Sequence, residues 1–291
     1  MSSIIQLLIT GLAMGCIYVL IGISFVLIYN AVGVVNFSQS EFVMFGGYFS
    51  VLFIGSAKMH PILGLVLSCV AMGLVGVVFE RFSYRPLRKQ SWLLVMISTV
   101  GVSMMLKDLA RVIWGAQPQR IPPLFTVFSV DVLGIKINPQ YLLIFGVTAV
   151  LLFIQWYIFD RTMTGKKLTA TAQDAQMAQL MGIHTTRMVV LTFVYSLVLA
   201  AIAGFLLTPL FYATNDMASM STLKAFVAAI IGGFGSIPGV VLGGLFVGII
   251  ETFAASFISS AMKDAVAFLV LIIFLIFRPQ GIFGEKFSKR V

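Results

Sequence analysis

Charge is the first thing this chain lacks. Only 10% of its 291 residues are Asp, Glu, Lys or Arg, while 60% are hydrophobic; soluble domains carry about 25% charged residues. With a mean hydropathy of +1.06, the composition excludes a water-soluble globule. It predicts an all-α polytopic membrane protein, with residues 1–291 forming a single transmembrane domain. Cysteine is scarce too. Cys16 and Cys69 both sit inside apolar runs, so no disulfide framework is indicated. The two histidines, His60 and His184, stand at the ends of such runs, far from either cysteine, and no metal cluster can be assembled from adjacent ligands. The motif G-x-S-x-G is absent. The one Gly-Lys pair, Gly165-Lys166, is followed by Lys167 and has Asp160 where a phosphate-binding loop needs its first glycine. No set of acid, base and nucleophile emerges, which disfavours a membrane-embedded enzyme. If ATP drives this chain, another subunit hydrolyses it.

The charges that are present have an address. Twelve of the 19 basic residues fall in three groups: Arg81, Arg85, Arg88 and Lys89; Arg161, Lys166, Lys167 and Arg187; Arg278, Lys286, Lys289 and Arg290. The positive-inside rule makes these three segments cytoplasmic. Lys58, Lys107, Arg111, Arg120, Lys136, Lys224 and Lys263 are scattered, with Asp108, Asp131, Asp216 and Asp264 among them, and mark the outer loops. Residues 1–6 carry no Lys or Arg, and the apolar run behind them is too long for a secretory signal. A retained first span with its N-terminus outside follows.

Apolar runs of spanning length cover residues 4–29, 42–57, 62–79, 92–114, 141–159, 188–207, 240–258 and 262–277. Residues 223–237 form a shorter run. With the tail cytoplasmic, the crossings are consistent only if that short run reaches some way toward the inside. The expectation is about eight transmembrane helices plus one short segment that could be re-entrant, with the N-terminus outside and the C-terminus cytoplasmic. Residues 115–140, with Pro118, Pro122, Pro123, Gly134 and Pro139, read as an ordered, turn-rich outer loop.

Three stretches interrupt the apolar pattern. Residues 160–187 are the one long polar segment; Thr164 as N-cap and Gly182 beyond the C-terminus predict a single helix of about 26 Å. Ala172, Ala175 and Ala178 share one side, and Ala170, Met177 and Met181 nearly the opposite one, so the helix can touch two bodies or rest on the bilayer surface. The second stretch, NAVGVVNFSQSEFVMFGGY (30–48), places Asn36, Ser38, Gln39, Ser40 and Glu41 between two spans. Backbone leaving the helix near membrane depth is tolerated where it is buried in protein or lines a wet cavity, so these residues are candidates for a substrate pathway; helix capping is the alternative. The third, 231–248, spaces Gly235, Gly239, Gly243 and Gly244 for close helix approach, and Gly232 to Pro238 must break the helix. Gly232, Gly233 and Gly235 join the pathway candidates, and Glu251 is expected to make packing or interhelical hydrogen bonds. Lys107 and Arg111 share a helical face and should snorkel to the outer surface.

These stretches resemble the membrane permease subunits of bacterial ABC importers of the branched-chain amino acid type. The residues that carry the resemblance are GLAMGCIYVLIGISFVLIYNAVGVVNFSQSEFVMFGGY from Gly11, ERFSYRPLR from Glu80, WGAQPQRIPPLF from Trp114, GKKLTATAQDAQMAQLMGI from Gly165 and GGFGSIPGVVLGGLFVGIIE from Gly232. The resemblance implies that residues 165–183 form the coupling helix that docks on a cytosolic ATPase, with Lys166, Ala172, Asp174, Ala178, Met181, Gly182 and Ile183 in the contact. It also implies a second related permease subunit, two ATP-binding subunits that hold ATP and Mg, and an extracytoplasmic substrate-binding protein. No cofactor is expected in this chain, nor any nucleic-acid partner, and the location is the cytoplasmic (inner) membrane. Family members commonly read Asn-Phe-Ala-His-Gly-Glu where this chain has Asn36-Phe37-Ser38-Gln39-Ser40-Glu41. Gln39 does not titrate near neutral pH, so a role of that His has no carrier here. The expected activity is inward movement of branched-chain or related amino acids, or similar small amphipathic carboxylates or amides. An ion-gradient-driven carrier or channel using Glu41 or Glu251 is the alternative.

Overall fold

A computed structural model describes residues 2–121, 130–132 and 135–283. The helices are α1 (Ser2–Val32), α2 (Gln39–Ser50), α3 (Pro61–Phe79), α4 (Trp92–Trp114), α5 (Pro139–Trp156), α6 (Met163–Gln173), α7 (Ala175–Leu180), α8 (Thr185–Phe211), α9 (Ser219–Gly232), α10 (Ile237–Phe257) and α11 (Lys263–Phe277). Single π-helical stretches continue α2 (Val51–Ser56), α3 (Glu80–Tyr84) and α5 (Tyr157–Arg161). One small antiparallel pair, β1 (Val130–Val132) with β2 (Ile135–Ile137), lies in the expected turn-rich loop, in the register Val130 to Ile137. Pro122, Pro123 and Gly134 of that loop, and Lys286, Lys289 and Arg290 of the basic tail, lie outside the described residues.

Among the described residues, six helices are long and apolar enough to cross a membrane: Ile4–Val32, Pro61–Tyr84, Trp92–Trp114, Pro139–Arg161, Thr185–Phe211 and Ile237–Phe257. Start signals are local. His60 accepts from the Ile62 N–H ahead of Pro61, and Ser236 accepts from Gly239 N–H ahead of Pro238, each placing proline in the first turn where its missing donor costs nothing. α2, α9 and α11 have 12, 14 and 15 residues and are shorter. The expected outer-loop assignment fails at Lys224. This residue lies inside α9, 4% exposed, because two carboxylates in the fold neutralise it.

The chain divides into two compact units. The first holds α1 as far as Val26, the β pair, the start of α5, and α9 to α11. Glycine organises it. A Cβ on Gly11 or Gly15 of α1 would lie 2.9 Å from the Cα of Ile249 or 2.8 Å from that of Leu245 in α10, while one on Gly243 would run into the Ala228 carbonyl of α9. α10 therefore meets one helix backbone to backbone on each of two faces, as small-xxx-small spacing permits. Phe25, Phe226 and Phe234 pack edge to face at centroid distances of 5.2 to 6.0 Å.

The second unit holds the end of α1 from Leu27, α2 to α4, the rest of α5, and α6 to α8. Its core is α2 against α3 and α8, where Phe42 meets Phe79 edge to face at 5.0 Å and Phe79 meets Phe193 at a tilt at 5.6 Å. Gly46 lets α2 approach Ala201 of α8, where a Cβ would stand 2.5 Å from the Ala201 Cα. Tyr48 stacks on Trp114 at 4.9 Å and donates to Asn215 Oδ1 at 2.6 Å. Lys107, the expected snorkeller, pairs with the exposed Asp216 in the turn between α8 and α9.

Candidate functional site

The polar break between α1 and α2 is buried. Asn36, Ser38, Gln39 and Glu41 are exposed by 4%, 0%, 0% and 6%. Gly33 turns the chain out of α1 at φ +69°, a left-handed conformation that favours glycine. Asn36 Oδ1 accepts from Ser38 N–H at 3.1 Å, forming an Asx turn. Ser38 Oγ donates to the Thr99 carbonyl at 2.7 Å, and Phe37 N–H donates to Thr99 Oγ1 at 3.2 Å. The break is thereby tied to α4 by two hydrogen bonds, from Phe37 and Ser38 to Thr99. Ser40 Oγ donates to Glu41 Oε2 at 2.8 Å. Asn36 Nδ2 is buried and has no partner among the described residues. It borders a crevice with Val34, Val95, Thr99 and Phe193 of only about 10 Å³, room for about one water molecule and none for an amino acid.

The polar segment 160–187 departs from expectation. Its N-cap is Thr162, not Thr164: Thr162 Oγ1 accepts from Gly165 N–H at 3.1 Å. The single helix is two, because Asp174 adopts φ −153°, ψ 103° and caps a new helix, its Oδ1 accepting from Gln176 N–H at 2.9 Å and Met177 N–H at 3.0 Å. Aspartate competes for the backbone in this way, and the sequence TAQDAQM offered that signal. Gly182 closes α7 as expected, at φ +81°: Gly182 N–H donates to Gln179 O at 3.0 Å and Ile183 N–H to Ala178 O at 3.0 Å, a Schellman end with Ile183 over Ala178. Of the alanine strip, Ala178 is buried, Ala172 half-buried and Ala175 exposed. On the other side Met177, Leu180 and Met181 are exposed by 61%, 82% and 83%, and Lys166 is exposed too.

Sequence reasoning missed what lies beside this elbow. Glu80, 1% exposed, binds the guanidinium of Arg85 through both carboxylate oxygens at 3.2 and 3.0 Å, and Arg88 Nη1 donates to Thr186 Oγ1 at 3.1 Å. A cleft of about 510 Å³ runs between Arg85 and the chain from Gly182 to Arg187. The ERFSYRPLR motif was legible; its place against the end of α7 was not, because 94 residues separate Arg85 from Gln179 in a chain without repeats.

In the first unit the turn Gly232 to Ser236 has Gly233 at φ +106° and Gly235 at φ +102°. The carbonyls of Ile231 and Gly232 accept from Ile282 N–H and Phe283 N–H, each at 2.9 Å, so this helix end is paired with chain beyond α11. Glu251 makes the interhelical bonds expected of it and more. Oε2 accepts from the Tyr18 hydroxyl at 2.5 Å, Oε1 from Lys224 Nζ at 2.6 Å, and Lys263 Nζ stands 3.5 Å away. Lys224 also pairs with Asp264 at 2.6 Å. No group of three or more His, Cys, Asp or Glu able to hold a metal occurs among the described residues.

Residues 7–275 match the family described as branched-chain amino acid transport system / permease component. The chain is 34% identical to the high-affinity branched-chain amino acid transport system permease protein BraD of Pseudomonas aeruginosa, over 99% of this chain and 98% of that protein. It is 33% identical to the corresponding LivH protein of Salmonella typhimurium, over 99% and 97%. A solved structure, PsaBC from Streptococcus pneumoniae in complex with Fab, shares the fold with a TM-score of 0.51 at 14% identity, covering 94% of this chain and 91% of that one. With these matches and six apolar helices of spanning length, the chain belongs to the branched-chain amino acid ABC permease family and is a multi-pass protein of the inner membrane.

Proposed function

We propose that this chain is the permease subunit of an ATP-driven importer that moves branched-chain or related amino acids, or similar small amphipathic carboxylates or amides, inward by alternating access. The observation that carries this reading is the α6–α7 elbow. Its outer face shows Met177, Leu180 and Met181 to solvent in a segment that the basic residues Arg161, Lys166, Lys167 and Arg187 assign to the cytoplasm. Exposed apolar side chains clustered within one turn mark a docking surface. Lys166, Ala172, Asp174, Ala178, Met181, Gly182 and Ile183 form the coupling segment, and the cleft beside Arg85 belongs to the same surface. ATP and Mg are held by two partner ATPase subunits. A second related permease and an extracytoplasmic binding protein complete the complex.

Counting α2 with its π-helical continuation and α11 as crossings gives eight spans; an N-terminus outside and a C-terminus cytoplasmic then require the short segment α9 to carry the chain to the inner side as well, and residues 1–291 act as one permease domain. Asn36, Ser38, Gln39 and Glu41 line the pathway, and the Gly232, Gly233 and Gly235 turn is a pathway element in its own unit. At the break the crevice is too small for substrate, which fits a closed state. Alternating access requires a second arrangement there.

The test uses the transporter assembled in proteoliposomes. Met181→Glu and Leu180→Glu leave the membrane fold untouched and abolish co-purification of the ATPase together with ATP-driven amino acid uptake. Retained ATPase binding and uptake overturn the docking reading. Gln39→Ala changes uptake rate while the binding protein's affinity stays fixed; a variant indistinguishable from the parent assigns Gln39 to helix capping.

A further inference from the structure

Four ionisable side chains and one phenol of the first unit converge at one place, and the proposed function leaves them unused. Lys224 of α9 and Glu251 of α10 have side chains 5% and 7% exposed, while those of Lys263 and Asp264, on the first turn of α11, are 33% and 35% exposed. The cluster holds two charges of each sign and sums to zero. More informative is how its bonds divide. Lys224 and Glu251 form an inner pair at 2.6 Å, and the Tyr18 hydroxyl donates to the other Glu251 oxygen. The two half-exposed residues are each linked inward: Asp264 to Lys224 at 2.6 Å, and Lys263 to Glu251 at a looser 3.5 Å.

Leaving one buried charge unpaired is costly, so the number of ions that leave together decides what the cluster can do. Detaching Lys263 and Asp264 at once leaves Lys224 and Glu251 as a satisfied, neutral pair with Tyr18 still in place. Detaching only one leaves the remainder carrying a net charge. A ligand able to take both partners at once is itself neutral overall and carries a cation and an anion a few bonds apart. An α-amino acid zwitterion meets that description. Its ammonium replaces Lys224 at Asp264, and its carboxylate replaces Glu251 at Lys263, so every ion keeps a counter-ion throughout the exchange.

We propose that Lys263 and Asp264 form a binding pair for the α-carboxylate and α-ammonium of an amino acid, held in place by the fixed neutral base of Lys224, Glu251 and Tyr18. This deepens the reading of the chain as an amino acid permease and rests on it.

The experiment titrates the purified full chain in lipid nanodiscs with L-leucine, with 4-methylpentanoate, which keeps only the anion, and with 3-methylbutylamine, which keeps only the cation. L-leucine binds, and each one-charge analogue binds roughly thirtyfold more weakly or worse, the loss expected when one partner of a charge pair is removed. Asp264→Asn and Lys263→Gln weaken L-leucine to a similar extent, while Lys263→Arg keeps the charge and retains binding. No L-leucine binding to the folded parent, equal binding of either analogue, unchanged binding in both neutral variants, or loss in Lys263→Arg overturns the proposal. ATP-driven uptake by the assembled transporter is measured separately. Its absence overturns the permease reading, whereas uptake with L-leucine binding indifferent to Lys263 and Asp264 overturns only the zwitterion pair.

Discussion

The α6–α7 elbow and the Lys224 cluster both depend on charged residues, and they use them in opposite ways. In the elbow Asp174 is exposed and acts on its own backbone, capping α7 within three residues of itself. In the cluster Glu251 is buried and acts across the fold, on residues 233 and 27 positions away. An exposed charge can lose its partner to water at small cost; a buried one has no such substitute. The first region is therefore built to change neighbours, and the second to keep its charges balanced.

The largest test of that contrast is Lys224→Met, which takes the cation from Asp264, leaves Glu251 with only Tyr18 and the looser Lys263, and should cost about 3–5 kcal/mol of stability, read by thermal unfolding in detergent. Combining Lys224→Met with Glu251→Leu should recover part of it, and a silent single variant would show that water reaches the cluster. Next comes Gly243→Ala, which forces a methyl group into the Ala228 carbonyl and should cost about 1–3 kcal/mol. The elbow should respond less. Asp174→Ala loses a helix cap worth about 1 kcal/mol, confined to α7 and visible as faster amide exchange there, while Asp174→Asn still caps and should be near neutral. Smallest is Met181→Ser, within about 0.5 kcal/mol of the parent in stability because the side chain is already exposed. Its effect should appear in ATPase association instead. Global destabilisation by Met181→Ser matching that of Lys224→Met would erase the distinction between the two regions.

What the sequence made legible follows the same division. Membrane class, the polar break at 36–41, the closing Gly182 and the close helix approach at Gly243 and Gly244 each depend on local composition or fixed spacing. The helix break at Asp174 was also local. It was passed over because no proline or glycine stands there, and aspartate caps without either. Lys224 was misplaced for a different reason: positive-inside bookkeeping treats every lysine as solvated, and only the fold brings Glu251 and Asp264 to it. The position of Arg85 beside the end of α7 likewise depends on how α3 and α8 pack.

The short helix α9 is fastened at both ends. Near its start Lys224 is held by two carboxylates, and at its finish the Ile231 and Gly232 carbonyls hold the N–H groups of Ile282 and Phe283. Any tilt of α9 must open an ion cluster and a pair of main-chain bonds that share no atoms, so two catches have to release before it travels. Motion gated in this way proceeds by waiting and then stepping, with dwell times on the microsecond to millisecond scale of collective helix shifts. Single-molecule or relaxation measurements on α9 should therefore find discrete positions separated by pauses, and removing either catch should shorten one pause without abolishing the other.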